Sequence, residues 1–179
     1  MTAEPVRVLG IDPGSARMGY GVVDMAGNDL TVVTFGCIET SPDWSAAERL
    51  HLLHQDLTTL LERFSPQEVA VEQLFFAKNA RTAITVAQAR GVALLAAAQF
   101  GCRIAEYTPL QVKVGVVGYG KAEKSQVQHM VTLLLQLPEP PKPDDTADAL
   151  AVAICHCYRR GAACSSPRLP LTLTSSLRP

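Results

Sequence analysis

Three apolar runs of strand length, joined by links of a few residues, open this chain, and helix-like and strand-like runs then alternate to its end. Few architectures accept that order. Residues 5–11, 17–24 and 30–40 read as strands, with Asp12-Pro13-Gly14 and the Ala26-Gly27-Asn28 stretch as their turns. Links this short make the three strands neighbours in an antiparallel meander. A helix is expected from Ser45 to Phe64, where Leu50, Leu53, Leu57, Leu60 and Leu61 recur at helical spacing. Residues 68–72 read as a short strand covered on both faces. A long Ala-rich helix spans 79–100, with Gly101 as its stop. Residues 103–107 form a last strand, and Thr108-Pro109 cap and start a helix through about Val116. Gly115 to Gly120 reads as a loop and Ala122 to Leu137 as a helix. Four prolines at 138–143 then break the chain before a final helix, Asp144 to Arg160. Helical crossovers make the later strands parallel to the first. The fold class is therefore α/β: a mixed five-stranded sheet, three antiparallel strands then parallel ones, flanked by helices. One domain is expected over 1–160. Residues 161–179, rich in Ser, Pro, Leu and Thr without helical period, are expected to be a disordered tail.

With 179 residues, 47% of them hydrophobic, the chain has enough for one proper core. Polar residues interrupt each apolar run, so no membrane span is expected, and the first residues carry no secretory pattern. Five cysteines without a paired framework are expected to be reduced packing residues of a cytoplasmic protein. The net charge of −1 conceals a division. Residues 1–77 hold 4 basic and 11 acidic side chains, and residues 78–124 hold 7 basic and 2 acidic. The middle segment is a candidate surface for a polyanion, with ordinary solvated helix faces as the competing account.

Four carboxylates stand at element ends. Asp12 closes the first strand and Glu72 the fourth, while Asp145 and Asp148 open the last helix. Parallel strands bring Asp12 and Glu72 to one edge of the sheet, the edge where α/β sheets bind ligands. Each acid has an ordinary alternative. Asp-Pro-Gly suits a turn, and acids favour a helix N-terminus. Asp144 is the best candidate for a mere cap. Together, though, these acids would repel one another and raise each other's pKa, a penalty that divalent cations remove. Oxygen ligands without a Cys or His set suit Mg²⁺ or Mn²⁺. Two such ions can hold the attacking water and the leaving oxygen of a phosphoryl displacement, with Asp12 as the natural bridge.

Four stretches carry a resemblance: G-I-D-P-G-S-A-R-M-G-Y-G at 10–21, V-E-Q-L-F-F-A-K-N at 71–79, V-V-G-Y-G-K-A-E-K-S-Q-V-Q-H-M-V at 116–131, and D-D-T-A-D-A-L-A-V-A-I at 144–154. Over about residues 6–160 the chain resembles the RuvC family, bacterial resolvases of the Holliday junction. The resemblance implies a ribonuclease H-like fold and a homodimeric endonuclease. Such an enzyme nicks four-way DNA junctions in symmetric pairs during recombination and repair. It implies Asp12, Glu72, Asp145 and Asp148 as the catalytic metal-binding tetrad, with two Mg²⁺ ions or Mn²⁺ in their place. It implies Lys113 and Lys124 as basic residues near the scissile phosphate, Phe75 as an aromatic against unpaired bases, and a branch-migration motor as partner. A non-catalytic junction-binding module and an actin-like phosphotransferase are the rival readings, the latter prompted only by G-I-D-P-G-S.

Lys78, Arg81, Lys113, Lys121 and Lys124 are the candidate phosphate contacts. Of Phe75 and Phe76, one is expected in the core and the other as a stacking group. Gly115, Gly118 and Gly120 either admit a phosphodiester or merely form a link. The Ala-rich helix is either core packing or part of a dimer surface. His51 and His54 are expected on a helix surface, and Trp44 in packing.

Overall fold

The computed structural model describes residues 4–73 and 80–163. Phe75, Phe76 and Lys78 fall outside them, as does the side chain of Arg81. Among the described residues the elements run β1 (Val6–Asp12), β2 (Arg17–Ala26), β3 (Asp29–Glu39), α1 (Ala46–Phe64), β4 (Glu68–Glu72), α2 (Ala80–Phe100), β5 (Arg103–Tyr107), α3 (Pro109–Val117), α4 (Lys124–Leu134) and α5 (Asp144–Ala163). The sheet order is β3-β2-β1-β4-β5. The β1–β2 and β2–β3 pairs are antiparallel, and β4 runs parallel to β1 and to β5. This is the expected mixed sheet.

Strand alternation divides the core. Leu9, Ile11, Val69 and Val71 face α1 and α2, where they meet Leu53, Leu57 and Leu61 and the alanines 89, 93, 96 and 97. Val8 and Ala70 face α3, α4 and α5 on the other side. The same period of two turns Gly10 and Asp12 of β1, and Glu68 and Glu72 of β4, toward α5. In β3, Val33 is an extra residue between the pairs Val22↔Thr34 and Val23↔Val32. This bulge reverses the parity of the strand: Leu30 and Val32 pack on the α5 side, and Ile38 packs on the α1 side.

Helix α5 is buried on nearly all sides, with residues 149–155 no more than 1% exposed. It lies on a stripe of glycines. A Cβ on Gly10 would stand 2.2 Å from the Ala149 carbonyl oxygen, and one on Gly19 would stand 1.9 Å from that of Asp145. A strand glycine often marks such close backbone approach.

The cap expected at Thr108 is present, with Gln111 completing a capping box at α3, and Ser45 and Glu48 form another at α1. The Gly115–Gly120 stretch leaves the helix only from Gly118. Helix α3 continues through Val117, and only Gly118, at φ +92°, ends it in the left-handed region. Gly115 lies within the helix because a Cβ there would come 2.7 Å from Cys155 Sγ; its absence lets α3 lie close against α5. Helix α4 is shorter than expected at both ends, and Ala122, outside it, is buried. Helix α5 extends to Ala163. Trp44, expected in packing, is 44% exposed. Helix α2 holds one stretch, Thr82–Phe100, long and apolar enough to cross a membrane by length and composition, which sequence reading had excluded. Here it packs its alanines on α1, and its Arg90 pairs with Glu106 of β5.

At the end of β4 remote from Glu72, Glu68 is buried under α5. His156 Nε2 lies 2.5 Å from Glu68 Oε2, while Arg160 Nε (3.0 Å) and an Arg103 Nη (2.7 Å) reach Oε1. The Tyr107 hydroxyl lies 2.8 Å from His156 Nδ1. A neutral imidazole that donates to Glu68 and accepts from Tyr107 satisfies both ring nitrogens. Burial first, then the two arginines, holds His156 below its ordinary pKa, although Glu68 pulls the other way. Burial pushes Glu68 up, but the hydrogen bond from His156 and the guanidinium groups outweigh it, and the net shift is downward.

Both shifts have one sign for stability. Below about pH 6.5 an unfolded chain protonates this histidine while folded His156 stays neutral, so stability falls with pH. Below about pH 4.3, Glu68 adds to the loss for the same reason. Groups elsewhere titrate in both proteins and cancel in a comparison, so urea denaturation followed by circular dichroism should show the wild-type midpoint dropping relative to that of His156→Gln as pH falls from about 7.5 to about 5.5.

Candidate active site

Asp12 is the last residue of β1 and Glu72 the last of β4. The parallel register pairs Ile11 with Val71, so the two carboxylates follow side by side on the α5 face. The first turns of α5 supply Asp145 and Asp148, three residues apart and thus on one helix face. The close seating of α5 on Gly10 and Gly19 brings that turn down over the strand ends.

The electrostatics show that the four acids share one environment. Asp12 is pushed up to about 8, by burial first, then by the charges of Glu72, Asp148 and Asp145, and by a hydrogen bond with Glu72. Burial also raises Glu72 and Asp148, against the pull of Lys124 on both. At neutral pH the Asp12–Glu72 pair therefore keeps a proton between its carboxyl groups. The expected meeting of acids from distant segments is present.

Two cations flank the cluster. Lys124, the first residue of α4, places Nζ 2.9 Å from Asp148 Oδ2 and 3.3 Å from Asp144 Oδ2. Gln128 Nε2 donates to Asp144 Oδ1 at 3.1 Å. Asp144 is thus more than a cap, because it ties α4 to the start of α5. Arg17, at the start of β2, places Nη1 3.7 Å from Asp145 Oδ2. Nothing in the sequence pattern distinguished Arg17, since only the β1–β2 register brings it to this edge. Lys113 is half-buried on α3 and Lys121 is exposed after it. Neither forms an ion pair with the carboxylates among the described residues. His54 Nε2 meets Gln99 Oε1 at 3.0 Å, on α1 and α2, away from the acids.

Among the described residues, no three His, Cys, Asp or Glu side chains close tightly enough to hold a metal ion as they stand. The donor set nevertheless fits a hard cation. It consists of carboxylates that burial and mutual repulsion leave short of positive charge, as the raised Asp12 shows. Lys124 now supplies part of that charge. Thr146 Oγ1, beside Asp145, is buried without a hydrogen-bond partner.

A family model described as "Crossover junction endodeoxyribonuclease RuvC" matches residues 8–156. The crossover junction endodeoxyribonuclease RuvC of Desulforamulus reducens is 58% identical over 149 residues, 83% of this chain and 91% of that protein. The Thermus thermophilus RuvC structure is 38% identical, with a TM-score of 0.81 over 87% of this chain and 96% of that one. The same protein solved in complex with a Holliday junction substrate matches at 35% identity and a TM-score of 0.81, over 88% and 97% of the two chains.

A cation that binds this cluster must displace the proton of the Asp12–Glu72 pair. Titration of Mn²⁺ at about pH 7, in buffers of different ionisation enthalpy, should show release of roughly one proton per site. The thermal midpoint should rise in step, with about 1.4 kcal/mol gained at ten times Kd. Binding without proton release would show that the acids do not share one.

Proposed function

The chain belongs to the RuvC family of crossover junction endodeoxyribonucleases, and we propose that it resolves four-way DNA junctions by paired, symmetric nicks. The observation that carries the chemistry is the meeting of Asp12, Glu72, Asp145 and Asp148 at one sheet edge under the N-terminus of α5. We propose these four as the catalytic, metal-binding residues. Divalent cations, two Mg²⁺ or Mn²⁺ per site, would activate the attacking water and stabilise the leaving oxygen of phosphodiester hydrolysis.

The chain's own groups perform the remaining tasks. Asp12 stands on a rigid central strand and keeps the geometry of the site constant. Glu72 accepts the hydrogen bond of the Asp12 carboxyl. Lys124 is half-exposed and bound to acids that a cation would claim, so it is placed to turn toward a DNA phosphate. Lys113 and Lys121, on and after α3, extend the same basic side; Lys78, Arg81 and Phe75 are proposed DNA contacts on sequence grounds alone. The nuclease domain spans 1–160.

A homodimer would place two such sites across a two-fold junction. Ile84 and Leu95, 61% and 52% exposed on α2 while its alanines face α1, support that helix as part of the dimer surface. Chromosomal junctions as substrate imply a cytoplasmic location, with a branch-migration motor as the partner that delivers them.

A synthetic four-way junction incubated with Mg²⁺ should yield nicks in two strands of like polarity at symmetric positions. Binding without nicks would instead support a recognition module. Asp12→Asn should lower cleavage by about a hundredfold or more while junction affinity changes less than about threefold, because the change removes metal charge and keeps shape. Lys124→Ala should weaken binding and reduce the salt slope by about one, measured by fluorescence anisotropy over a potassium chloride series.

A further inference from the structure

Arg17 is mounted firmly and held loosely. The Thr40 N–H donates to the Ala16 carbonyl at 3.0 Å, and the Thr40 hydroxyl donates to the Ser15 carbonyl at 2.7 Å. Arg17 itself pairs with Glu39 in the β2–β3 ladder. A Cβ on Gly14 would stand 2.1 Å from the Arg17 carbonyl oxygen, so the turn before it is folded tightly back. The side chain contrasts with this base. It is 55% exposed, and its 3.7 Å approach to Asp145 is too long for a hydrogen bond. An ion pair this long and exposed binds weakly.

The backbone register fixes where that side chain stands. Asp12 pairs with Gly19, so Arg17 lies two residues beyond the acidic end of β1, at the rim of the carboxylate cluster. Lys124 covers Asp148 and Asp144 from the α4 side, and Arg17 takes Asp145 from the β2 side. Its charge also helps hold Asp144 down, after Gln128 and Lys124. Once a divalent cation shares the charge of Asp145, the attraction that keeps the guanidinium there is spent. The side chain is then a free cation at the rim of a site whose substrate is a polyanion. A planar guanidinium offers two parallel N–H groups to a phosphate.

We propose that Arg17 is a substrate-positioning residue that exchanges Asp145 for a backbone phosphate of the cleaved strand beside the scissile bond, on the β2 side of the carboxylate cluster, away from the α4 side that holds Lys124. The proposal rests on the nuclease reading above. It assigns Arg17 no part in the chemical step.

The test uses the full chain and a synthetic four-way junction with Ca²⁺ in place of Mg²⁺, with binding read by fluorescence anisotropy over a potassium chloride series. Arg17→Ala should lower the slope of log affinity against log salt by about one, and Arg17→Lys should restore it. The difference between wild type and Arg17→Ala should shrink in EDTA, where Asp145 keeps the arginine. Arg17→Gln, closer in shape, serves if the alanine variant does not fold. Single methylphosphonates placed within two nucleotides of the cut supply a second readout. One position should weaken wild type several-fold and leave Arg17→Ala unaffected. A folded Arg17→Ala or Arg17→Gln with the wild-type slope overturns the proposal, as does a methylphosphonate series that weakens wild type and variant alike. If wild type itself neither binds nor cuts the junction, the nuclease reading falls and takes this proposal with it. If wild type binds and cuts while the variant keeps its slope, only the role of Arg17 falls.

Discussion

The backbone of α5 lies directly on the backbone of β1 and β2, and the rest of the molecule is arranged around that contact. Gly10 and Gly19 present no side chain where the carbonyl oxygens of Ala149 and Asp145 come down. Close seating of this kind sets the height of a whole helix above a sheet, because packed interiors do not yield gradually. Here it sets the height of Asp145 and Asp148 above Asp12 and Glu72. On the helix side, Ala149 and Ala153 meet the same surface with small side chains.

Seating a helix so that four acids converge is costly, and three features offset the cost. The N-terminus of α5 carries the positive end of its dipole, which favours Asp145 and Asp148 locally. Lys124 and Arg17 bring cationic heads to the rim from opposite sides. The Asp12–Glu72 pair retains a proton. The last two, the cationic heads and the proton, are things a divalent cation can replace, so the resting site is held together in part by groups that binding releases.

The far end of the same sheet face shows the opposite economy. Glu68 faces α5 from β4 just as Glu72 does, four residues away. Its carboxylate is saturated by His156, Arg160 and Arg103. A saturated buried carboxylate fastens the C-terminal half of α5 to β4 and β5, whereas an unsaturated cluster at the N-terminal half is open for chemistry. Two glutamates on one short strand thus have different roles, set by their neighbours.

Much of this was legible in the residues. The strand and helix order, the antiparallel-then-parallel sheet and the cap at Thr108 follow from local periodicity and turn chemistry, which act over a few residues. Asp12, Glu72, Asp145 and Asp148 were recognisable because charged residues at the ends of buried apolar runs need a reason. Gly115 sits where the helix expected through Val116 and the loop expected from Gly115 overlap, because a glycine in a sequence does not say whether it frees the backbone or makes room for a neighbour. Arg17 and the Glu68–His156 pair were invisible for a related reason. Their partners are 128 and 88 residues away in the chain, and only the β1–β2 register and the seating of α5 bring them together. Which elements form, and which acids stand at their ends, depends on near neighbours and is written in the order of the residues. Which cations face those acids, and which carboxylates are left unsatisfied, depends on how closely one helix settles on the sheet and emerges only when the chain packs.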